Sequence, residues 1–181
     1  TANQIERFAS LATYLIDLSA DFRLSNPQDY QTWYESPHPA PEWLPKFVYG
    51  LPEVNREALR GAHYASGVGC NATAMNLALL PLVRAGVLTS ARAEIKVGSS
   101  EGGNSANSGS HHPVRSGAVR AYKPTRHRHM AEIRQILGDI DLRFAVTAIE
   151  MIRGVHVTAH VRLNQRLAEK DIWRMYRGAY N

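Results

Sequence analysis

The chain has 181 residues, 44% hydrophobic and 20% charged, enough to build a core in one domain or in parts of two. A single cysteine excludes an internal disulfide and fits a reducing compartment such as the cytoplasm, and no apolar run approaches the length of a membrane span. The net charge of +5 marks either a solvated basic surface or an acidic partner, nucleic acid or protein.

The chain opens on Thr1 rather than Met and is expected to be a fragment or a processed product. Ile5, Phe8 and Leu11 recur at helical spacing, so residues 4–12 read as a short amphipathic helix. Tyr14 to Leu18 is a short apolar run of the kind buried in a parallel sheet. Ser19 and Arg23 follow just beyond its carboxyl end, where open α/β sheets bind ligands. Arg23 has two readings, a planar fork for a phosphate or a salt bridge to a nearby acid such as Asp17 or Asp21. Residues 26–45, dense in proline and aromatics, read as a rigid surface excursion. Gly50 and Pro52 mark a turn, residues 55–60 a short helix, and residues 62–66 a strand-like lead into Gly67-Val68-Gly69-Cys70.

That turn is the most informative point in the chain. Gly67 and Gly69 permit a tight turn and close approach of a substrate or cofactor. Cys70 opens a run of helix formers, and a helix start presents unpaired N–H groups and a dipole that favours negative charge. A thiol there loses its proton more easily, and the same N–H groups suit an oxyanion. A buried, inert cysteine is the alternative. Residues 71–85 form a largely apolar helix that Pro81 is expected to bend or end, with Gly86 as its cap.

Residues 94–97 read as a strand and residues 98–110 as a Gly/Ser-rich loop without a P-loop pattern. His111 to Arg134 holds six Lys/Arg against one acid, Glu132, with four histidines. A zinc site is disfavoured, since no second cysteine exists. Nucleic-acid binding is one reading. A catalytic histidine among substrate-gripping cations, Arg115 and Lys123 among them, is the other. Glu132, near a helix start, either caps that helix or orients a histidine. Residues 142–151 and 155–163 read as strands with a turn at Arg153-Gly154. The second alternates between a valine-rich face and one bearing His156 and His160. Residues 167–177 read as a closing helix.

Five segments together resemble the N-acetyl-γ-glutamyl-phosphate reductase family, which includes lysine-pathway reductases acting on aminoadipyl phosphate tethered to a carrier protein. They are Gly69-Cys70-Asn71-Ala72-Thr73-Ala74, Asp17 to Leu24, Val48 to Glu53, Gly98 to Gly103 and Tyr122 to Ile133. The resemblance covers the middle of the family's usual chain. Two departures stand out: Gly67-Val68 replaces a common Asn-Pro, and Asn71 a common Tyr. What the resemblance implies is an α/β fold, the end of a Rossmann-like dinucleotide-binding domain (1–69) followed by an α+β catalytic and dimerisation domain with a mixed sheet (70–181). It implies NADPH-dependent reduction of an acyl phosphate to a semialdehyde, with Cys70 as nucleophile and His127 first, His129 second, as proton shuttle. Ser19, Arg23, Asn71, Ser99, Ser100, Arg115 and Lys123 would face substrate, and Gly67 and Gly69 the cofactor NADP(H). An acidic amino-group carrier protein and a second copy of the chain are the expected partners, with no metal and no membrane. The family's Gly-x-x-Gly-x-x-Gly pyrophosphate loop has no counterpart here, because no glycine precedes Gly50, so weak NADPH binding by these residues alone is expected. The rivals are a basic RNA-binding module and a cysteine acyltransferase or hydrolase.

Overall fold

The structure is a computed structural model describing residues 1–103 and 107–180. In chain order its strands are β1 (Leu15–Asp17), β2 (Phe47–Tyr49), β3 (Tyr64–Ser66), β4 (Leu88–Val97), β5 (Arg120–Tyr122), β6 (Asp141–Ala148) and β7 (Val155–Leu163). Its helices are α1 (Ile5–Leu11), α2 (Pro27–Tyr34), α3 (Pro52–Arg60), α4 (Cys70–Arg84), α5 (His112–Arg115), α6 (His129–Leu137) and α7 (Glu169–Tyr180). The chain divides into two compact units. One is Thr1–Thr73 with Arg128–Ile136; the other is Ala74–His127 with the residues from Leu137 onward. The division differs from a cut at 69/70, because the nucleophile turn and the first two turns of α6 belong to the unit that carries the first sheet.

The first unit is built on a three-stranded parallel sheet in the order β1-β3-β2. Its strands end together at Asp17, Ser66 and Tyr49, and the carboxyl ends are tied by Gly67 N–H to Asp17 O (2.6 Å) and Gly50 N–H to Ser66 O (2.9 Å). The second tie requires glycine, since a Cβ on Gly50 would lie 2.2 Å from Ser66 O. The proline-rich stretch lies largely at the surface, as read, but it is helical and anchored in the core. Asn26 caps α2 by accepting from Gln28 N–H at 2.9 Å, Pro27 starts it, and a 3-10 segment spans Pro41–Lys46. Tyr30, Ala40, Trp43 and Leu44 are buried, and Phe22 stacks on Phe47 at 4.0 Å. Each such side chain contributes about 1.5–3 kcal/mol of burial, so the aromatics serve the core. His38 links the layers, donating from Nε2 to Asp21 O at 2.9 Å and accepting from Ala40 N–H at Nδ1 (3.0 Å), which fixes its tautomer.

The second unit holds a four-stranded mixed sheet in the order β5-β6-β4-β7. β4 pairs parallel with β6 and antiparallel with β7, so the two strands flanking the Arg153-Gly154 turn are not neighbours; β4 lies between them. Along β7 the alternation read from sequence holds from Val155 to His160, with His156 and His160 exposed and Val155, Val157 and Ala159 half-buried, and breaks at Val161, which is exposed. Pro81 does not end α4, which runs on to Arg84. A proline has no N–H for the carbonyl four residues back, here that of Leu77. Tyr180 Oη donates to that carbonyl at 2.5 Å and Tyr176 Oη to the next, Ala78, at 2.5 Å. Helix α7 thus supplies the hydrogen bond that the proline removes.

Arg115 is buried in this unit. Its guanidinium donates to the carbonyls of Gly98 (2.7 Å), Val97 (2.5 Å) and Ile149 (3.4 Å), joining the ends of β4 and β6. An arginine so engaged holds the sheet together and is not presented to a docking partner.

Candidate active site

Cys70 is the first residue of α4 and is exposed. The Gly69 carbonyl before it accepts the first helical bond, from Thr73 N–H at 2.8 Å, and also the Thr73 hydroxyl at 2.9 Å. Asn71, fully buried, turns its side-chain carbonyl to the thiol, with Sγ 3.7 Å from Oδ1. The helix start read from sequence is therefore in place, and an S–H at this position has an acceptor beside it.

The turn is held by a carboxylate that sequence reading gave only a minor part. Glu132, in the first turn of α6, has no exposed surface. Its Oε2 accepts from Gly69 N–H at 2.8 Å and from the Tyr49 hydroxyl at 2.8 Å. Its Oε1 faces Arg23 Nη1 at 3.5 Å and His129 Nε2 at 3.8 Å. Four elements far apart in sequence converge on one buried charge: the β1-to-α2 loop, the end of β2, the nucleophile turn and α6. A carboxylate without solvent needs such donors, since desolvation of an unpaired charge costs several kcal/mol or more. The charge acts back on its neighbours. Burial, aided by the nearby Glu132 charge, pushes the Tyr34 phenol up to about 12. Burial and the same carboxylate push Tyr49 well above the ordinary phenol range.

The two histidines separate. His129 is buried in the first unit, with Nε2 near Glu132 and its ring against Gly69. His127 is buried in the second, its ring 6.0 Å from that of Tyr122 and 5.7 Å from that of Phe144. His129 therefore lies against the Cys70 turn within the first unit, whereas the resemblance put His127 first.

Gly69 explains itself by space. A Cβ there would come within 2.6 Å of Glu132 Oε1 and 2.7 Å of His129 Nε2. Gly67 is less tightly enclosed, its Cβ position 3.2 Å from Asp17 O. The room left by the missing Cβ at Gly69 is filled by the protein's own His129 and Glu132. Gly69→Ala is expected to push His129 and Glu132 out of register with Cys70. Turnover should fall on the order of 10²-fold, the scale of a misplacement near 1 Å, while circular dichroism stays native.

The other sequence candidates are dispersed. Ser19 closes a turn, donating to Asp17 Oδ2 at 2.8 Å and accepting from Asp21 N–H at 3.1 Å. Arg23, nearly buried, meets Glu132 instead of Asp17 or Asp21. In the second unit Ser99 Oγ lies 3.0 Å from His112 Nδ1, Ser100 is exposed, and Lys123 is exposed with a left-handed φ of 44°. Among the described residues no group of three or more His, Cys, Asp or Glu side chains is arranged to hold a metal ion, and no helix is long and apolar enough to cross a membrane. Tyr49 was missed as a site residue. Its only sequence signal was its place in the Val48 to Glu53 segment.

Comparison with known proteins divides the chain near residue 70. Residues 1–62 match the semialdehyde dehydrogenase NAD binding domain, and residues 70–181 match the semialdehyde dehydrogenase dimerisation domain. A putative [LysW]-L-2-aminoadipate 6-phosphate reductase of Thermomicrobium roseum is 46% identical over 99% of this chain and 53% of its own length. A putative [LysW]-L-2-aminoadipate/[LysW]-L-glutamate phosphate reductase of Haloarcula marismortui is 49% identical over 98% of this chain and 52% of its own. The chain thus spans about half the length of the curated relatives it matches. Among solved structures, aspartate semialdehyde dehydrogenase II of Vibrio cholerae superposes with a TM-score of 0.67 at 14% identity, over 96% of this chain and 56% of that one, a likeness of fold. With both domains matched in order over residues 1–62 and 70–181, the chain belongs to the semialdehyde dehydrogenase family.

Proposed function

We propose that the full-length protein reduces a carrier-bound acyl phosphate, 2-aminoadipyl 6-phosphate, to its semialdehyde, with Cys70 as nucleophile. The observation that carries this reading is the exposed Cys70 at the start of α4, on a turn whose Gly69 N–H is held by the same buried carboxylate that faces His129. Relatives 44–49% identical that carry aminoadipate phosphate reductase names support the substrate class. Cys70 Sγ bonds to the acyl carbon, the C–O bond to phosphate breaks, and phosphate leaves with the electron pair, so that a thioester remains on the cysteine. His129 takes the thiol proton and returns it as the aldehyde departs, with Glu132 holding the ring. NADPH, when bound, supplies the two electrons that take the thioester to the aldehyde level. Arg23, beside Glu132 and near the carboxyl end of β1, is the cation for the leaving phosphate. No glycine precedes Gly50, so the residues in hand form the reaction centre and not the pyrophosphate turn.

A homo-oligomer formed through the second unit and a reducing, cytoplasmic setting belong to the same proposal. So does an acidic carrier as partner. Arg120, Lys123 and Arg126, all exposed in the basic stretch of the second unit, are cations offered to it once Arg115 is assigned to the sheet. Docking of this kind is salt-sensitive, since the screening length falls from roughly 10 Å at 0.1 M salt to about 3 Å at 1 M. The experiment compares kcat/KM for carrier-bound aminoadipyl phosphate and free N-acetylglutamyl phosphate as salt rises, with Arg120→Glu and Lys123→Glu in parallel. The carrier-bound substrate should lose efficiency with salt and with charge reversal. A preference for the free N-acetylglutamyl compound, with no response to either reversal, returns the chain to the arginine-type activity. Polyanion binding indifferent to Cys70 would favour the RNA-binding alternative.

A further inference from the structure

We propose that Tyr49 is a positioning residue, whose hydroxyl locks the Glu132 carboxylate in the orientation that holds the Gly69 N–H and so fixes the Cys70 turn against His129. The inference deepens the nucleophile reading and rests on it.

The geometry is a closed circuit within the first unit. Tyr49 ends β2, and the next residue, Gly50, donates to Ser66 O at 2.9 Å with no room for a side chain. From Ser66 the chain runs three residues to Gly69, whose N–H reaches Glu132 Oε2 at 2.8 Å, and the Tyr49 hydroxyl reaches the same oxygen at 2.8 Å. A carboxylate with one oxygen held by two fixed donors cannot rotate about its own axis. Its other oxygen is thereby aimed at Arg23 Nη1 and His129 Nε2. Burial and the Glu132 charge hold the phenol well above its ordinary range, so Tyr49 stays a donor across the working pH. Arg23 and His129 face the carboxylate at 3.5 and 3.8 Å, both longer than a hydrogen bond. The short contacts that set its direction are therefore those from Tyr49 and Gly69, which is why the tyrosine, and not the charges, carries the positioning.

The test is a double-mutant cycle of Tyr49→Phe and Glu132→Gln in the full-length protein, read twice. On turnover, Tyr49→Phe should lower kcat about tenfold, within the usual range of pairwise coupling, with KM inside about twofold. Adding it to Glu132→Gln should cost nothing more. On iodoacetamide alkylation of Cys70, the same loss and the same non-additivity are expected, and this reading depends only on the turn. Losses that add, or a Tyr49→Phe protein that matches wild type in both readings, would overturn the clamp. A cycle that couples in alkylation while Cys70→Ser still turns over would keep the clamp and remove the nucleophile reading instead. Tyr49→Phe is mild enough to fold even if Glu132→Gln does not, and wild-type behaviour of the single variant alone would be sufficient to reject the proposal.

Discussion

Cys70→Ser is expected to abolish reduction of the acyl phosphate, with kcat lower on the order of 10⁴-fold or more, the scale seen when a nucleophile that works as part of a unit is removed. The physical reason is local. Serine fits the space of an exposed side chain at the start of α4, so Asn71 in the core and the Glu132 contacts should be untouched. What changes is the nucleophile: a hydroxyl ionises far less readily than a thiol, and this site offers a helix start and one nearby imidazole to help it. Alkylation by iodoacetamide should remove activity in proportion to the single site modified. The measurements are steady-state turnover, mass spectrometry of the alkylated peptide, and a thermal melt to show the fold is kept. Turnover retained by the serine variant would end the covalent route.

The second large effect is expected at His129. His129→Asn should lower kcat by roughly 10²- to 10⁴-fold, the range for removing a general acid–base. His127→Asn should cost less than about tenfold by the same standard. His129 has its Nε2 at Glu132 and its ring against Gly69, whereas His127 packs between Tyr122 and Phe144 in the other unit. Asparagine keeps some polarity and fits either space, so a loss confined to one variant reports chemistry more than packing. A larger loss at His127 would restore the order that the family resemblance implied, and equal losses would support neither order.

The parts legible in the sequence were those written locally. The Gly-x-Gly-Cys turn and the apolar α4 are local and follow from pattern. The strand before Ser19 forms but leaves Tyr14, Ile16 and Leu18 exposed instead of buried, and the start of α6 came from the family resemblance. The 3-10 and α2 segments were misread because proline density hides a helix. Yet Asn26-Pro27 is a cap followed by a first-turn proline, and Tyr30, Trp33 and Tyr34 follow at helical spacing. The role of Arg115 was misjudged because a basic run looks alike whether its members are solvated or buried. Only the contact with carbonyls 17, 18 and 34 residues away distinguishes them. Glu132 belongs to the same class. Its bonds to Gly69 and Tyr49 span 63 and 83 residues, and no spacing rule reaches that far.

That span has a temporal meaning. Contacts between residues so distant in sequence form late, because the loop entropy must be overcome before they are rewarded. Between Gly69 and Glu132 the chain must first travel through β4 and β5, and β4 is paired in parallel with β6, which comes still later. Until α6 returns, the turn before Cys70 lacks the carboxylate that holds the Gly69 N–H. The contacts that hold the Gly69 turn are therefore complete only once α6 has joined the sheet of the first unit.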